Sequence, residues 1–310
     1  MAAPLQPGEQ EALRQPCPAS SSLPFRIASN ISVRRAGIII KKEHGPADSF
    51  ADMLGRWLQD KGISTTINQI DPDLDILIIA GGDGTLLHVA AQAARHSIPV
   101  IGINLGNLGF LTELTEPEAI QALEEIISSA VTVENRMMLK ARIIRDNQPT
   151  EYRYALNEVV ISKGTIDRVL QLSTRANAEY ITAYKADGLI FSTPTGSTAY
   201  NLSAGGPIVY PGLASILVTP ICPFMLSSRP VLLPPETRLT THIDDGPGHY
   251  AKIIIDGQSV WDMQADEILE IEAAELPLQL IISPHRDYFS ILRNKLHWGI
   301  PQMPSTNNCK

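Results

Sequence analysis

The chain has 310 residues, of which 44% are hydrophobic and 19% charged, and this predicts a globular protein of one large or two ordinary domains. Its net charge of −8 argues against a general nucleic-acid or anionic-membrane surface, so we expect neither as a partner. Three widely spaced cysteines exclude a disulfide framework or a zinc site and suggest a reducing compartment. Because no apolar run is long enough to span a membrane and the N-terminus lacks the features of a secretory signal, we expect a cytoplasmic protein.

The first part of the chain alternates short apolar runs with helical patterns. The runs predict strands over 36–40, 65–70, 74–80 and 98–103, and the patterns predict helices over 48–62, 85–96 and 115–130. This alternation is typical of a parallel, Rossmann-like sheet, so we predict an α/β domain over residues 31–130. Residues 1–30, rich in Pro, Ala, Ser and Gln, are expected to form a disordered N-terminal tail.

The pattern changes near Val131. Many short β-rich segments separated by Pro and Gly follow, and several alternate polar and apolar residues. They predict a mostly antiparallel β-sandwich domain over residues 131–285. In residues 286–310 the helical spacing of Tyr288, Leu292 and Leu296 predicts a closing helix followed by a loose tail.

The strand predicted over 74–80 runs directly into Gly81-Gly82-Asp83-Gly84 and then into a helix. Glycines at the start of a helix let a phosphate approach, and the N-terminus of a helix favours negative charge. A carboxylate in the middle of such a turn makes sense if it handles a proton or a metal. The motif alone is equally consistent with a sharp strand-to-helix turn.

Four further stretches carry candidate binding residues, and each also has a purely structural interpretation. They are the glycine-spaced loop 102–111, the pair Asn157-Glu158 inside an apolar run, the hydroxyl- and glycine-rich block 185–207, and the turn Asp256-Gly257-Gln258. An asparagine can meet both donor and acceptor on an adenine edge, and a glutamate can accept from ribose hydroxyls. Loop 102–111 alone favours a structural loop, a surface-facing strand pair explains Asn157-Glu158 equally well, and the last stretch alone resembles a hairpin turn. Block 185–207 is too long for mere capping to be the better explanation.

The combination and order of these motifs, which span residues 36 to 298, resemble the NAD kinase family. The Gly-Gly-Asp-Gly turn is shared with phosphofructokinases and with diacylglycerol or sphingosine kinases, whereas the block from Asp187 to Tyr200 is specific. The resemblance implies an enzyme that transfers a phosphoryl group from ATP or another donor to the 2′-hydroxyl of the adenosine ribose of NAD, giving NADP. It also implies a divalent metal, normally Mg²⁺, and a homodimer or homotetramer.

The resemblance assigns roles residue by residue. Asp83 would be the catalytic base, and Gly81, Gly82, Gly84 and Thr85 would form the loop for the phosphate donor. The residues expected to bind substrate or cofactor are Gly84, His88, Asn157, Glu158, Arg168, Lys185, Asp187, Thr198, Ala199, Tyr200, Asn201, Leu202, Ser203 and Gln258. His88 and Arg168 fall at positions that vary in relatives, and Lys185 replaces an arginine common there, which removes the bidentate fork.

No His or Cys cluster suggests a protein-held metal, so we expect no residue-based metal site and Mg²⁺ bound mainly through phosphates. Two alternatives remain open. A lipid kinase of the diacylglycerol type shares the glycine–aspartate turn, but it should offer a basic or amphipathic membrane face. A non-catalytic NAD(H)-binding sensor would have little need of Asp83.

Overall fold

A computed structural model describes residues 24–41, 45–106, 109–164, 169–244, 249–283 and 286–298. The helices are α1 (Gly45–Asp60), α2 (Asp83–Arg95), α3 (Ala119–Ser128), α4 (Tyr200–Ser203) and α5 (Tyr288–Leu296), with single 3-10 turns at Glu116–Glu118 and Thr195–Thr198. None of the helices in these ranges is long and apolar enough to cross a membrane.

The strands up to the middle of the chain are β1 (Arg26–Ser29), β2 (Arg35–Ile40), β3 (Ser64–Ile67), β4 (Ile76–Ala80), β5 (Val100–Asn104), β6 (Leu114–Thr115), β7 (Val131–Arg136), β8 (Leu139–Arg145), β9 (Gln148–Pro149), β10 (Arg153–Ala155) and β11 (Glu158–Lys163). The strands that follow are β12 (Leu170–Ala176), β13 (Glu179–Ala186), β14 (Gly188–Ser192), β15 (Ile216–Ile221), β16 (Val231–Leu233), β17 (Leu239–Ile243), β18 (Tyr250–Ile255), β19 (Gln258–Gln264), β20 (Ile268–Ala273) and β21 (Leu278–Ile281).

The first sheet has eight strands in the order β1-β7-β21-β5-β4-β2-β3, with β6 beside β5. Strands β2 to β5 are parallel to one another, as the alternating pattern predicts. The residues of β2, β4 and β5 are buried along almost their whole length because helices cover both faces of the sheet, whereas the edge strand β3 has only half-buried and exposed residues. Helices α1 and α3 pack into the core on one face, and α2 packs on the other.

The rest of the chain forms two antiparallel sheets, one of seven strands (β10-β8-β20-β17-β12-β13 with β9) and one of six (β16-β15-β14-β11-β18-β19). Leu172 and Leu269 of the first and Phe191 and Ile253 of the second meet in a single apolar core. The two sheets therefore form the predicted β-sandwich, and the fold class is confirmed.

Three predicted boundaries need correction. Residues 26–29 of the predicted disordered tail form β1, which pairs with β7, whereas residues 1–23 lie outside the described part. Strands β7 and β21, which the prediction gave to the second domain, belong to the first sheet, where β21 pairs with both β5 and β7. Helix α1 begins at Gly45, three residues before the expected Asp48. The closing helix is present as α5, with the Asp287 side chain accepting from the amide of Ser290 at its N-terminus.

Candidate functional site

The glycine–aspartate turn joins the buried end of β4 to the N-terminus of α2. Gly82 is the extended residue before the helix, and the amide of Thr85 donates to its carbonyl at 2.9 Å. A Cβ atom added at Gly82 or at Gly84 would meet nothing within 4 Å, so both glycines border open space. The turn therefore leaves room for a ligand beside the N-terminus of the helix.

The open space is a cleft of about 830 Å³ bordered by the end of β2 and by the glycine turn. The chain leaves β2 through α1 to reach β3 on one side, and it leaves β4 through α2 to reach β5 on the other. The two connections diverge, and such a reversal of strand order opens a crevice at the carboxyl ends of parallel strands, where ligands bind. Lys41, Gly82, Gly84, Thr85 and His88 are among the residues that line the cleft.

Asp83 lies at the start of α2, and its carboxylate is held by the loop that follows β5. The amide of Phe110 donates to Oδ2 at 2.8 Å. The amides of Leu111 and Thr112 donate to Oδ1 at 3.1 and 3.0 Å, and the Thr112 hydroxyl donates to Oδ1 at 2.9 Å. Oδ1 is thus fully occupied, whereas Oδ2 accepts a single hydrogen bond and keeps a lone pair for a further donor. The sequence did not indicate that Asp83 also holds the loop that follows β5.

Gly109 explains the glycine spacing of this loop. A Cβ atom there would overlap with Asp83 Oδ1 and crowd the Thr112 hydroxyl, so the close approach of loop and carboxylate requires glycine. Asn107 and Leu108 of the same predicted loop lie outside the described residues.

We expect Gly109→Ala to lower kcat at least tenfold, because the added methyl group displaces the Asp83 carboxylate or its loop. Steady-state kinetics measure the effect, and circular dichroism checks the fold. Gly106→Ala is the matched control, since a Cβ atom at Gly106 would come no closer than 3.7 Å to any described residue outside its own chain neighbours. Equal kcat in the two variants would contradict the role of Gly109.

Asn157 and Glu158 lie at the start of β11, and a single carboxylate holds their backbone. Asp256 accepts from the amide of Leu156 at 2.7 Å on one oxygen, and from those of Asn157 and Glu158 at 2.9 and 3.0 Å on the other. Asp256 and Gly257 form the two-residue turn between β18 and β19 with positive φ values of 46° and 81°. The hairpin turn seen in the sequence is therefore also a clamp on the Asn157–Glu158 pair.

The Glu158 side chain is 7% exposed, and its Oε2 has no hydrogen-bond partner among the described residues. Burial, with a smaller contribution from the nearby charge of Asp256, raises the pKa of Glu158 to about 8. A buried carboxyl oxygen without a partner is costly unless a ligand completes its hydrogen bonds. The half-buried side-chain amide of Asn157 also makes no hydrogen bond within the described part of the chain.

The block 193–203 packs against this pair. The amide of Thr193 donates to the Asn157 carbonyl at 2.9 Å, and the Thr193 hydroxyl donates to the Leu156 carbonyl at 2.6 Å. A Cβ atom at Gly196 would overlap with the Asn157 carbonyl oxygen, so the two segments touch along their backbones. Thr198, Ala199, Tyr200, Leu202 and Ser203 keep partly or fully exposed side chains next to this contact.

Asn201 does not fit the predicted binding role. Its side chain is fully buried, and its Nδ2 donates to the carbonyls of Ser197 and Pro207, both at 3.1 Å. Its Oδ1 accepts from the Thr219 hydroxyl at 2.7 Å. Because these contacts use both ends of the amide, Asn201 supports the block from below and has no hydrogen-bonding group directed at a ligand.

Asp187 precedes β14 at the end of the β11–β14 strand pair opposite to Glu158, and Lys185 lies near the end of β13. In the ladder of β11 and β14, Glu158 faces Ser192, whereas Ser162 faces Gly188. Asp187 Oδ1 accepts from Lys163 Nζ at 2.7 Å, and Lys185 Nζ lies 4.9 Å from the centre of the Phe224 ring. Within one chain, these two predicted residues are not beside Asp83 or Glu158.

The two halves of the site meet through α2. Leu86 of α2 shares an apolar core with Leu156, which places the Asn157–Glu158 pair close to the helix that begins at Asp83. His88 Nδ1 and Gln258 Nε2 are in contact, so the β18–β19 turn reaches the same helix. Arg168 lies outside the described residues.

Within the described ranges, no group of three or more His, Cys, Asp or Glu side chains could hold a metal ion. A carboxylate at a glycine turn, a cleft at the carboxyl ends of parallel strands and an adjoining pair of unpartnered polar side chains are features of a phosphotransferase site. Family models agree with this class. The ATP-NAD kinase N-terminal domain matches residues 40–131, and the ATP-NAD kinase C-terminal domain matches residues 156–283.

The chain belongs to the NAD kinase family. It is 38% identical over 286 residues to an NAD kinase of Syntrophotalea carbinolica, covering 86% of this chain and 99% of that protein. It is 41% identical over 234 residues to an NAD kinase of Trichlorobacter lovleyi, covering 76% and 82%. The resemblance to this family seen in the sequence motifs is confirmed. The comparisons favour neither the lipid kinase nor the non-catalytic NAD(H)-binding sensor.

Solved structures show the same fold. Yeast NADH kinase complexed with NADH has a TM-score of 0.80 at 23% identity, over 88% of this chain and 90% of that one. An NAD kinase from Archaeoglobus fulgidus in complex with ATP has a TM-score of 0.68 at 25% identity, over 85% and 98%.

Proposed function

We propose that the glycine-bordered cleft and the Asn157–Glu158 pair are the donor and acceptor sites in which this NAD kinase transfers the γ-phosphoryl group of ATP to the 2′-hydroxyl of the adenosine ribose of NAD. The observation that carries this proposal is the position of Asp83. Its carboxylate belongs to the glycine turn that borders the cleft, and its helix packs against the segment that presents Asn157 and Glu158.

In the proposed reaction, the 2′-hydroxyl oxygen of the ribose attacks the γ-phosphorus, and its proton passes to Asp83 Oδ2. The bond between the γ-phosphorus and the bridging oxygen breaks, and ADP leaves with the electron pair. The loop amides that hold the carboxylate fix its direction. A positioned base of this kind contributes about 10²–10⁴ in rate, and alignment and charge neutralisation supply much of the rest.

We assign the adenosine half of NAD to Asn157 and Glu158. The Asn157 amide offers a donor and an acceptor that match the edge of an adenine ring. Glu158 Oε2, buried and without a partner, is suited to the ribose hydroxyls. Thr198, Ala199 and Tyr200, next to this pair, would form the wall of the dinucleotide pocket, with Leu202 and Ser203 close by.

We expect Glu158→Gln to be more stable than the wild-type protein at high pH. A buried carboxyl whose pKa is raised to about 8 keeps its proton in the folded state, so unfolding becomes easier as the pH rises from about 4.5 to 8. The variant has no carboxyl group at this position, so its free energy of unfolding does not fall for this reason. Each kcal/mol recovered corresponds to about 2–4 °C in Tm for a chain of this size.

Thermal unfolding of both proteins at pH 5.5 and pH 8.5 measures the effect. The difference in Tm, variant minus wild type, should be larger at pH 8.5. A constant difference would show that Glu158 does not titrate in this range. The KM for NAD should rise in the variant, because the NH₂ group of glutamine at the position of Oε2 can only donate, whereas Glu158 Oε2 can accept from a ribose hydroxyl.

We propose that Mg²⁺ accompanies the donor. Such ions are held largely by substrate phosphates and waters, which leaves the free lone pair of Asp83 Oδ2 for the proton of the 2′-hydroxyl. Bound to the phosphates, the ion would neutralise charge on the transferring group. We further propose a cytoplasmic enzyme, since a chain with three scattered cysteines suits a reducing compartment.

We propose a homodimer or homotetramer. Asp187 opens the family-specific block, yet it lies five ladder positions, roughly 17 Å, from the Glu158 end of the strand pair, and Lys185 lies two residues before it at the end of β13. An assembly in which this end of the strands meets a second copy would bring both residues to a dinucleotide. Sedimentation velocity determines the assembly state, and a monomer at assay concentration would refute the proposal.

A coupled assay tests the function. The protein is incubated with ATP, Mg²⁺ and NAD, and NADP is detected with an NADP-specific dehydrogenase. We expect NADP formation that depends on all three additions. No NADP with varied metals and donors would refute the proposed function.

A further inference from the structure

The loop 109–113, whose amides hold the Asp83 carboxylate, is itself held from outside by the chain segment 286–298, which contains α5. Arg286 precedes this helix. Its Nη1 donates to the Glu113 carbonyl, at the end of the loop. Its Nη2 donates to both carboxylate oxygens of Glu118, at 2.7 and 3.0 Å. The guanidinium group of Arg286 therefore joins the end of the loop to the 3-10 turn that follows β6.

Glu118 is a well-fixed partner for Arg286. Its Oε2 accepts from the Thr115 amide at 2.8 Å and from the Thr115 hydroxyl at 2.6 Å, in a capping box. These contacts hold the carboxylate in place, and Arg286 binds it with one nitrogen while its other nitrogen binds the loop. A planar guanidinium group holds two acceptors in a fixed geometry, which a lysine ammonium group does not do.

A second contact reaches the other end of the same loop. Lys295 lies in the last turn of α5, and its Nζ is 6.0 Å from the centre of the Phe110 ring, within reach of a cation–π interaction. The Phe110 amide is the donor to Asp83 Oδ2, the oxygen proposed to take the proton of the 2′-hydroxyl. The segment 286–298 thus contacts the loop at both of its ends, Phe110 and Glu113.

The segment 286–298 also has anchors outside the loop. Ile291 and Leu292 of α5 are buried. The Tyr288 ring meets the Tyr210 ring edge-on, with the ring centres 5.4 Å apart, and Tyr210 precedes β15 in the chain. Because these contacts fix α5 against other parts of the protein, Arg286 and Lys295 can restrain the loop and do not simply move with it.

We propose that Arg286 and Lys295 are positioning residues for phosphoryl transfer: they fix the loop 109–113 and, through its amides, the direction of the Asp83 carboxylate. This inference rests on the proposed function and adds to it two residues that lie far from Asp83 in the sequence. Neither is among the residues that line the cleft. Their effect should therefore appear in kcat and not in the KM for either substrate.

The first experiment removes the guanidinium group. We expect Arg286→Ala to lower kcat at least about tenfold, because a displacement of 1 Å at the reacting groups costs about 10² in rate. The KM for NAD and the KM for ATP should stay within about twofold of the wild-type values. Arg286→Lys should regain only part of the loss, since an ammonium group lacks the fork that binds Glu113 and Glu118 together. A wild-type kcat in Arg286→Ala would overturn the inference.

Arg293→Ala is the matched control. Arg293 lies on the same helix, its side chain is exposed, and no hydrogen bond or ion pair joins that side chain to another described residue. Its kcat should stay within about twofold of the wild-type value. Thermal unfolding shows whether the variants fold.

Lys295→Met tests the other end of the loop. Methionine keeps an apolar stem but removes the charge over the Phe110 ring, so we expect kcat to fall about two- to fivefold. If Arg286→Ala does not fold, a wild-type kcat in both Arg286→Lys and Lys295→Met would overturn the inference.

Hydrogen exchange gives a readout that does not depend on turnover. In the full-length protein, mass spectrometry measures the exchange of backbone amides in the peptide that contains residues 109–113. We expect this peptide to exchange at least about fivefold faster in Arg286→Ala than in Arg293→Ala, with no difference in strands β8 and β20. Equal exchange of the loop in the two variants would overturn the inference, even if kcat falls. Absence of NADP with every donor in the wild type would instead refute the proposed function, and the exchange of the loop would still decide whether Arg286 holds it.

Discussion

Replacement of Asp83 by Asn is expected to lower kcat by about 10²–10⁴ while NAD still binds. The amide cannot take the proton of the 2′-hydroxyl, but its oxygen can still accept from the amides of Leu111 and Thr112. Asp83→Ala should lower kcat by the same factor. It also removes the acceptor of the loop amides, so its Tm should be lower than that of Asp83→Asn. The coupled assay and NAD titration calorimetry measure both expectations.

Thr112→Val is the control for this comparison. It removes the hydroxyl that donates to Asp83 Oδ1 but leaves the carboxylate and the three loop amides in place. Its kcat should fall far less than that of Asp83→Asn. Near-normal turnover in Asp83→Asn would exclude Asp83 as the base and leave it only the role of holding the loop.

Asp256→Ala is expected to lower Tm by about 5–10 °C and to raise the KM for NAD at least tenfold. Loss of the carboxylate leaves the amides of Leu156, Asn157 and Glu158 without their acceptor, and each such donor costs about 1–3 kcal/mol when buried. Water at the hairpin can accept hydrogen bonds from some of these amides. We therefore expect the free energy of unfolding to fall by about 2–4 kcal/mol in total. The Asn157–Glu158 pair would then lose its fixed orientation.

Asp256→Asn separates the loss of the hydrogen-bond acceptor from a change in the geometry of the turn. Asparagine tolerates the positive φ of 46° at this position, and its oxygen can accept from two of the three amides. We expect its Tm and its KM for NAD to lie between those of the wild type and Asp256→Ala. If Asp256→Ala keeps a normal KM for NAD, the clamp contributes to stability alone.

The sequence predicts local structure well where burial is complete. Strands such as β2 and β4 are continuous apolar runs because helices cover both faces of their sheet, and such runs are recognisable without knowledge of their partners. Sheet membership is different. The residues of β7 and β21 are compatible with either domain, and their place is decided by pairing with strands far away in sequence.

The same contrast between local sequence and distant partners applies to the site. The glycine motifs locate the cleft, because positive charge and space for phosphate come from backbone that only small residues leave accessible. The role of a single polar side chain depends on partners that the motif does not contain. Asn201 has the residue type and position of a ligand contact, yet its amide is completed by Thr219, 18 residues away. Asp83 likewise binds a loop that begins 27 residues later.

The place of β21 has a consequence for biosynthesis. This strand lies between β5 and β7, so the first sheet has a gap until residues 278–281 have been synthesised. The sandwich is therefore an insertion within the first domain, and a fragment that ends at residue 130 lacks the two internal strands β7 and β21. During translation the sandwich can fold on leaving the ribosome, whereas the catalytic sheet closes only when the chain is nearly complete.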